Sequence, residues 1–475
     1  MCVLISLRNQ AFVSSMPNAV VMVVGKIRHK LASSCFDSKC FYSSRPVQNI
    51  QKSRVPKMFE CSNLKVNSKE SFKFLDYDCL GFDLDNTICR YKVSNMVKLE
   101  YKCLANFLIK ERGYSGVHLN RPIEEHIDFM IKGLILDVER GNLLRIAPDG
   151  HILHGTHGTK KLDDNELTSY YGTECRWETT TLFSQNPLKT WNGPYSKVVR
   201  PLLDYFDMPA GLIFARAVDT IDEENGCKLE KYNIYSDILD ALQDMFHKDN
   251  FSKNTSEYFT AIKEHPSDYI QKCSANMMDW LVSLKKQKKV LFLITGSHVD
   301  FASFTSTHCM GPNWKDLFDI VICFAKKPGF FTDNRPFIGV EGFKETEEVT
   351  DLQTNGVYLN GNWAGMHKFL QQASKKNNPK VLYVGDNLIQ DVYTPAVNTT
   401  CDVVAVCEEL EAEGIFGHSK NHTDQDLLVS NIWGSYFHRV DEFKETIWCG
   451  FIKKHAKLCI PSLEYVAQHQ IDHEF

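Results

Sequence analysis

The sequence predicts an α/β fold, a doubly wound parallel sheet carrying an inserted α+β lobe, on three observations. From Cys79 onward, short apolar runs each end in a polar loop and are followed by a helical stretch, the pattern of parallel strands joined by crossover helices. Roughly 200 residues separate the first of these runs from the second, too many for a single crossover connection. That interval mixes turn-bounded strand signals with helical spacing, as a lobe with its own core would.

Five runs read as strands of the main sheet: Cys79–Phe82, Val290–Ile294, Ile320–Phe324, Val381–Val384 and Val403–Cys407. In the interval, Gly141-Asn142-Leu143-Leu144 and Asp149-Gly150-His151 read as turn-bounded strands, and Asp237–Phe246 and Asp268–Lys285 as helices. The acidic stretch Glu341–Asp351 reads as a solvated loop. The organisation expected is an N-terminal extension over 1–70, a first part of the core over 71–100, and the inserted lobe with flanking core helices over 101–285. The rest of the core follows over 286–430, and a C-terminal docking segment, with aromatic-rich Trp433–Phe437, over 431–475.

The 475 residues, 43% hydrophobic and 24% charged, suffice for a large buried core. No apolar run approaches the length of a membrane span; Ala19–Gly25 is stopped by Lys26, so a soluble protein is expected. Residues 1–57 carry nine Lys and Arg against the single acid Asp37, leaving 45 basic and 58 acidic residues, or −13, on the remainder. A body so acidic is not expected to bind nucleic acid. The basic, Ser-rich leader fits a mitochondrial transit segment, an optional extension ahead of Met58, or a disordered tail; the location expected is cytoplasmic, or mitochondrial where residues 1–57 direct import. Most of the sixteen cysteines, Cys79, Cys323 and Cys407 among them, sit in apolar runs and read as reduced, buried thiols. Cys35 and Cys40 lack the second pair that a zinc site needs, and Gly414, Gly417 and Asn421 break the local helix at His418 and His422, which read as a surface loop.

In open parallel sheets ligands bind beyond the carboxyl ends of the strands, so the residues that follow each run carry the chemistry. After the first come Asp83 and Asp85, two carboxylates able to converge on one ligand, one attacking phosphorus while the other handles the leaving group's proton. A carboxylate attacking a phosphate dianion needs a cation, for which Mg²⁺ with oxygen ligands is the usual answer. Asp386 supplies a third carboxylate after the fourth run, with Asp391 placed to orient the metal's surroundings. Thr295-Gly296-Ser297 follow the second run and offer a hydroxyl and backbone N–H groups at a helix start to an anion. Lys327, after the third run, offers positive charge. No G-x-x-x-x-G-K-[ST] loop is present.

This ordered set, residues 83–87, 295, 327 and 386–391, resembles the four motifs of the haloacid dehalogenase (HAD) superfamily. The wider text Gly81–Thr87, Lys327–Phe331 and Tyr383–Asp386 is similar to its cytosolic 5′-nucleotidase branch, from about Leu75 to near the C-terminus, including His157–Lys160 and Trp433-Gly434-Ser435. The resemblance implies a HAD-like core with a cap lobe, and a Mg²⁺-dependent phosphomonoester hydrolase acting on nucleoside 5′-monophosphates. It makes Asp83 the nucleophile, Asp85 the general acid/base, Thr295, Gly296, Ser297 and Lys327 the phosphate holders, and Asp83, the Asp85 carbonyl and Asp386 the metal ligands. Related nucleotidases form dimers or tetramers, which leaves a homo-oligomer open here, but no stretch of this sequence identifies an isologous surface. Four positions depart from the purine-specific members: Leu239 and Gln243 stand where those offer a basic and an acidic residue to the base, Thr159 where an aromatic is expected near His157–Lys160, and Gly296 where they carry Asn. A rival reading is a HAD-fold binding or regulatory protein with slight catalysis; another is phosphotransfer to a nucleoside in place of water.

Overall fold

The computed structural model describes residues 71–414, 425–438 and 444–475. The leader over 1–57, the Cys35/Cys40 pair, Met58 and the His418/His422 pair lie outside these.

The expected strands form, and short segments not anticipated join them. The main sheet contains β1 (Cys79–Phe82), β7 (Val290–Ile294), β8 (Ile320–Cys323), β9 (Phe337–Glu341), β10 (Lys344–Val349), β11 (Gly356–Asn360), β12 (Val381–Gly385), β13 (Asp402–Val406) and β14 (Leu458–Ile460). Its order is β10-β9-β11-β8-β7-β1-β12-β13-β14. From β11 to β14 every pairing is parallel, while β9 and β10 pair antiparallel at one edge. β1, β7, β12 and most of their neighbours are buried throughout, which is why they read as continuous apolar runs.

Helices cover both faces. Phe82 packs edge-on against Trp280 of helix Ala275–Lys286 at 5.4–6.2 Å together with Phe74. Phe292 meets Trp363 of helix Trp363–Ser374. Because Phe82 is in register with Leu293 and Gly81 with Phe292, the two phenylalanines point to opposite sides. Gly81 is required here: a Cβ would fall 2.0 Å from the Phe292 ring.

Between β1 and β7 a second, wholly antiparallel sheet forms from β2 (Ile135–Asp137), β3 (Asn142–Ile146), β4 (Ile152–His157), β5 (Lys160–Lys161) and β6 (Val199–Pro201), in the order β5-β4-β3-β2-β6. The glycines of the two predicted turns, Gly141 and Gly150, both have positive φ, at 72° and 84°. Trp433 donates its indole N–H to the Phe129 carbonyl and Trp448 to that of Gly133, so the C-terminal residues touch the entry to this lobe.

Two expectations need correction. The acidic stretch after Glu341 is not a loop: Lys344–Val349 is an exposed edge strand, its charges facing water where they also keep the sheet edge from pairing. The helix expected over Asp268–Lys285 is broken. Ile270 forms an antiparallel bridge with Tyr91, and Gln271 N–H donates to the Arg90 carbonyl, so the chain stays extended until Ser274 caps helix Ala275–Lys286. The twelve cysteines among the described residues are free thiols. Of the described helices, none is long and apolar enough to cross a membrane.

Candidate functional site

The carboxyl ends of β1, β7, β8 and β12 bring the predicted residues into one small pocket lined by Asp83, Asp85, Gly296, Lys327, Asp386 and Asp391. β1 lies between β7 and β12 at the point where strand order reverses, where such sheets open a crevice.

Asp83 leaves β1 with its N–H donating to the Val384 carbonyl of β12, which fixes its side chain beside the β12 loop. There Gly385 permits a close approach: a Cβ would sit 2.4 Å from that of Asp391. Asn387 accepts from the N–H groups of Ile389 and Gln390 and so starts the turn Leu388–Tyr393 that carries Asp391. On the β8 side, Phe324 and Lys326 adopt left-handed φ of 48° and 52°, bending the chain so that Lys327 turns inward.

The Lys327 ammonium lies 2.8 Å from Asp83 Oδ1 and 2.6 Å from Asp391 Oδ1. Tyr383 OH lies 3.4 Å from the same nitrogen and donates to the Ile294 carbonyl. Burial opposes the Lys327 charge, but Asp391, then Asp83, outweigh it and hold its pKa well above the ordinary value. Asp391 Oδ2 accepts from the Asn387 N–H at 3.2 Å.

Carboxylate oxygens of Asp83, Asp386 and Asp391 lie within 4.8 Å of one another; Lys327 contacts Asp83 and Asp391 directly, and Lys132 acts on Asp386. Burial, and after it the opposing effects of Lys327 and of Asp391 and Asp85, push the Asp83 carboxyl up to about 7. Burial, then Asp83 and Asp391, drive Asp386 well above its usual range. Asp386 Oδ2 is shut from solvent and has no hydrogen-bond partner. An all-oxygen donor set with excess negative charge and an unsatisfied buried carboxylate oxygen fits a small hard divalent cation.

Asp85 has different surroundings. Its Oδ2 accepts from Ser297 Oγ at 2.6 Å and lies 3.4 Å from Thr295 Oγ1, while Oδ1 accepts from Tyr91 OH at 2.7 Å. Its carboxylate is not one of the three clustered acids. Two details depart from the sequence reading: the Ser297 hydroxyl, expected on phosphate, is directed at Asp85, and the Ser297 N–H, expected to be available, donates to Thr295 Oγ1 at 3.0 Å. Helix Val299–Met310 begins two residues later.

Sequence reasoning missed Tyr91, Tyr383, Asp204 and Phe206. Asp204 and Phe206 line the pocket from the segment after β6, and Asp204 Oδ2 accepts from Asn387 Nδ2 at 3.3 Å. The available signal was the string Asp204-Tyr205-Phe206-Asp207 ahead of Pro209, a helix start rich in functional side chains. The segment His157–Lys160 lines no part of this pocket. His157 bonds Asn142 and Asp222, and Thr159 bonds Asp219, on helix Met208–Asn225 about 18 Å along its axis from Asp207. Phe206 instead supplies the pocket's aromatic surface. Leu239 and Gln243 sit half-buried on helix Tyr235–Met245. A roomier cavity, about 1240 Å³, lies outside the acid cluster, between Lys248–Ser252, the outer face of helix Val299–Met310 and Phe343.

The profile of the 5′ nucleotidase family matches residues 66–471. This chain belongs to the 5′ nucleotidase family, and with it to the phosphoric monoester hydrolases. Its relatives include 5′-nucleotidase domain-containing protein 1 from Homo sapiens and from Bos taurus, each 32% identical over 86% of this chain and 93% of the relative. 5′-Nucleotidase domain-containing protein 2 from Rattus norvegicus is 28% identical over 73% of this chain and 60% of its own length. The family match takes in both sheets and every residue of the pocket.

Proposed function

We propose that this chain hydrolyses a nucleoside 5′-monophosphate through an aspartyl-phosphate on Asp83, with Mg²⁺, in a HAD-like doubly wound core whose antiparallel lobe is the cap. One observation carries the reading: Asp83 and Asp85, two residues apart, have opposite environments, one against an ammonium and two carboxylates, the other among hydroxyls. The ammonium beside Asp83 favours its charged, attacking form, and the hydroxyls around Asp85 hold a carboxyl in place for proton transfer.

Asp83 attacks phosphorus while Lys327 draws negative charge from the phosphoryl oxygens. Gly296 bounds the same space and orients the phosphoryl group, while Thr295, buried behind it, turns its hydroxyl toward Asp85. Asp85, protonated, gives its proton to the leaving oxygen as the P–O bond breaks, and then takes one from the water that cleaves the acyl phosphate. Asp83 and Asp386, with the Asp85 carbonyl, would hold Mg²⁺, and Asp391 orients Lys327 beside them. When bound, Mg²⁺ neutralises the charge that otherwise repels the substrate dianion. The aromatic edge of Phe206 at the pocket, and the names of the relatives, support a nucleoside as the organic part.

Phosphate release from a panel of nucleotides and sugar phosphates, with and without Mg²⁺, tests this. Turnover should require the metal and vanish in Asp83→Asn. Full activity in that variant would reject the mechanism, and saturable ligand stabilisation without turnover would favour a binding protein.

A further inference from the structure

The acid/base role of Asp85 leaves unexplained how a carboxylate flanked by single bonds that rotate freely presents one chosen oxygen to a leaving group. Its two oxygens are held from opposite sides. Oδ2 faces Ser297 and Thr295, the residues at the phosphate end of β7. Oδ1 accepts from the phenol of Tyr91 at 2.7 Å, a bond buried from solvent.

We propose that Tyr91 is a positioning residue for proton transfer: its hydroxyl, bonded to Oδ1, fixes the Asp85 carboxyl plane so that Oδ2 faces the phosphate side. The inference rests on the proposed acid/base role of Asp85. Tyr91 on Oδ1 and Ser297 on Oδ2 hold the carboxyl between them, and removing the phenol frees it to rotate about its single bonds.

The phenol is itself held rigidly. Tyr91 bridges Ile270, its carbonyl accepts from Gln271 Nε2 at 3.0 Å, and the next N–H, of Lys92, donates to the Tyr269 carbonyl at 2.7 Å. Its ring packs edge-on to Phe206 at 5.3 Å. These contacts tie the loop after β1 to the break at Ile270–Ser274, which gives that break a purpose: a continuous helix there could not pair with Tyr91.

Tyr91→Phe removes the hydroxyl and keeps the ring. The reading that separates positioning from mere packing is leaving-group dependence, because a good leaving group needs no proton and a poor one does. Single-turnover formation of the phosphoenzyme should fall about tenfold or more with phenyl phosphate, stay within about twofold with 4-nitrophenyl phosphate, and leave KM for both unchanged. Equal losses with the two esters, no loss with either, or a Tyr91→Phe protein that fails to fold would each overturn the inference. Asp85→Asn serves as the control: it should discriminate between the esters more strongly still. Discrimination in Asp85→Asn but not in Tyr91→Phe rejects the role of Tyr91 alone, whereas its absence in Asp85→Asn rejects the acid/base reading beneath it.

Discussion

Two clusters of charge are buried about equally deeply in this protein, and they differ in their balance. Behind the acid pocket, Lys132 lies 3.0 Å from Glu409, each about 2% exposed, with the ammonium over the rings of Tyr205 and Tyr436 at 4.8 and 5.2 Å. One cation meets one anion, and aromatic faces take up the rest of the desolvated charge. In the pocket, one ammonium contacts two of three clustered carboxylates, Asp83 and Asp391, and the third, Asp386, is reached by the charge of Lys132. Lys132 enters from the loop before β2 and Glu409 from the helix after β13, so the balanced pair fastens the antiparallel lobe to the main sheet. In the unbalanced set the acids outnumber the ammonium that contacts them, an imbalance that a bound cation would correct. Burial alone therefore does not mark a site; uncompensated burial does.

Substitutions that remove one charge should act in opposite directions on the two clusters. The largest effect is catalytic: Asp83→Asn should lower turnover by about 10³-fold or more, while raising the thermal midpoint of metal-stripped protein, because it relieves repulsion. Lys132→Met should instead leave Glu409 buried and unpaired, at a cost of about 3–5 kcal/mol, read as a lowered urea or thermal midpoint. If both variants shift the midpoint the same way, the contrast between the clusters fails.

The metal sharpens the comparison next. Magnesium at a hundredfold excess over its dissociation constant should stabilise the wild type by about 2.7 kcal/mol, and this gain should disappear in Asp386→Asn while persisting in Lys132→Met. The pH dependence has a definite sign. With Asp83 raised from 3.8 to about 7, the folded state between those values binds a proton that the unfolded state has released. Without metal, that group's contribution is therefore present below pH 4 and lost as pH rises towards 7. Comparing the midpoint–pH slopes of wild type and Asp83→Asn isolates this contribution. A wild-type slope no steeper than the variant's would remove the excess-charge argument.

The sequence revealed the pocket because its residues follow separate strands, Asp83 and Asp85 after β1, Gly296 after β7, Lys327 after β8, and Asp386 and Asp391 after β12. A parallel strand covered on both faces is a continuous apolar run, and its last residue is followed at once by the side chain that does the chemistry, as Phe82 is by Asp83 and Ile294 by Thr295. What it concealed depends on contacts between distant segments. Asp204 reaches Asn387 across 183 residues, so nothing in its neighbours announces it. Tyr91 lies only six residues beyond Asp85, but a buried tyrosine ordinarily reads as core. Ile270 breaks a helix whose apolar spacing continues past it, because its partner is Tyr91 and not its own helix. The charged hairpin β9–β10 read as a loop since an exposed edge strand lacks the alternation that a half-buried strand shows.

The smallest expected effect tests whether the pocket's one aromatic wall belongs to the site or only to the core. Phe206 touches Tyr91 and, at 6.3 Å, Phe246, yet it also lines the acid pocket. A ring–ring contact contributes about 0.5–1.5 kcal/mol beyond burial, so Phe206→Leu should raise KM a few-fold for nucleoside monophosphates. With a small alkyl phosphate, which has no ring to meet, KM should not change. A core role alone would lower stability and shift both substrates together, which places the decision on the difference between the two KM values and not on either one.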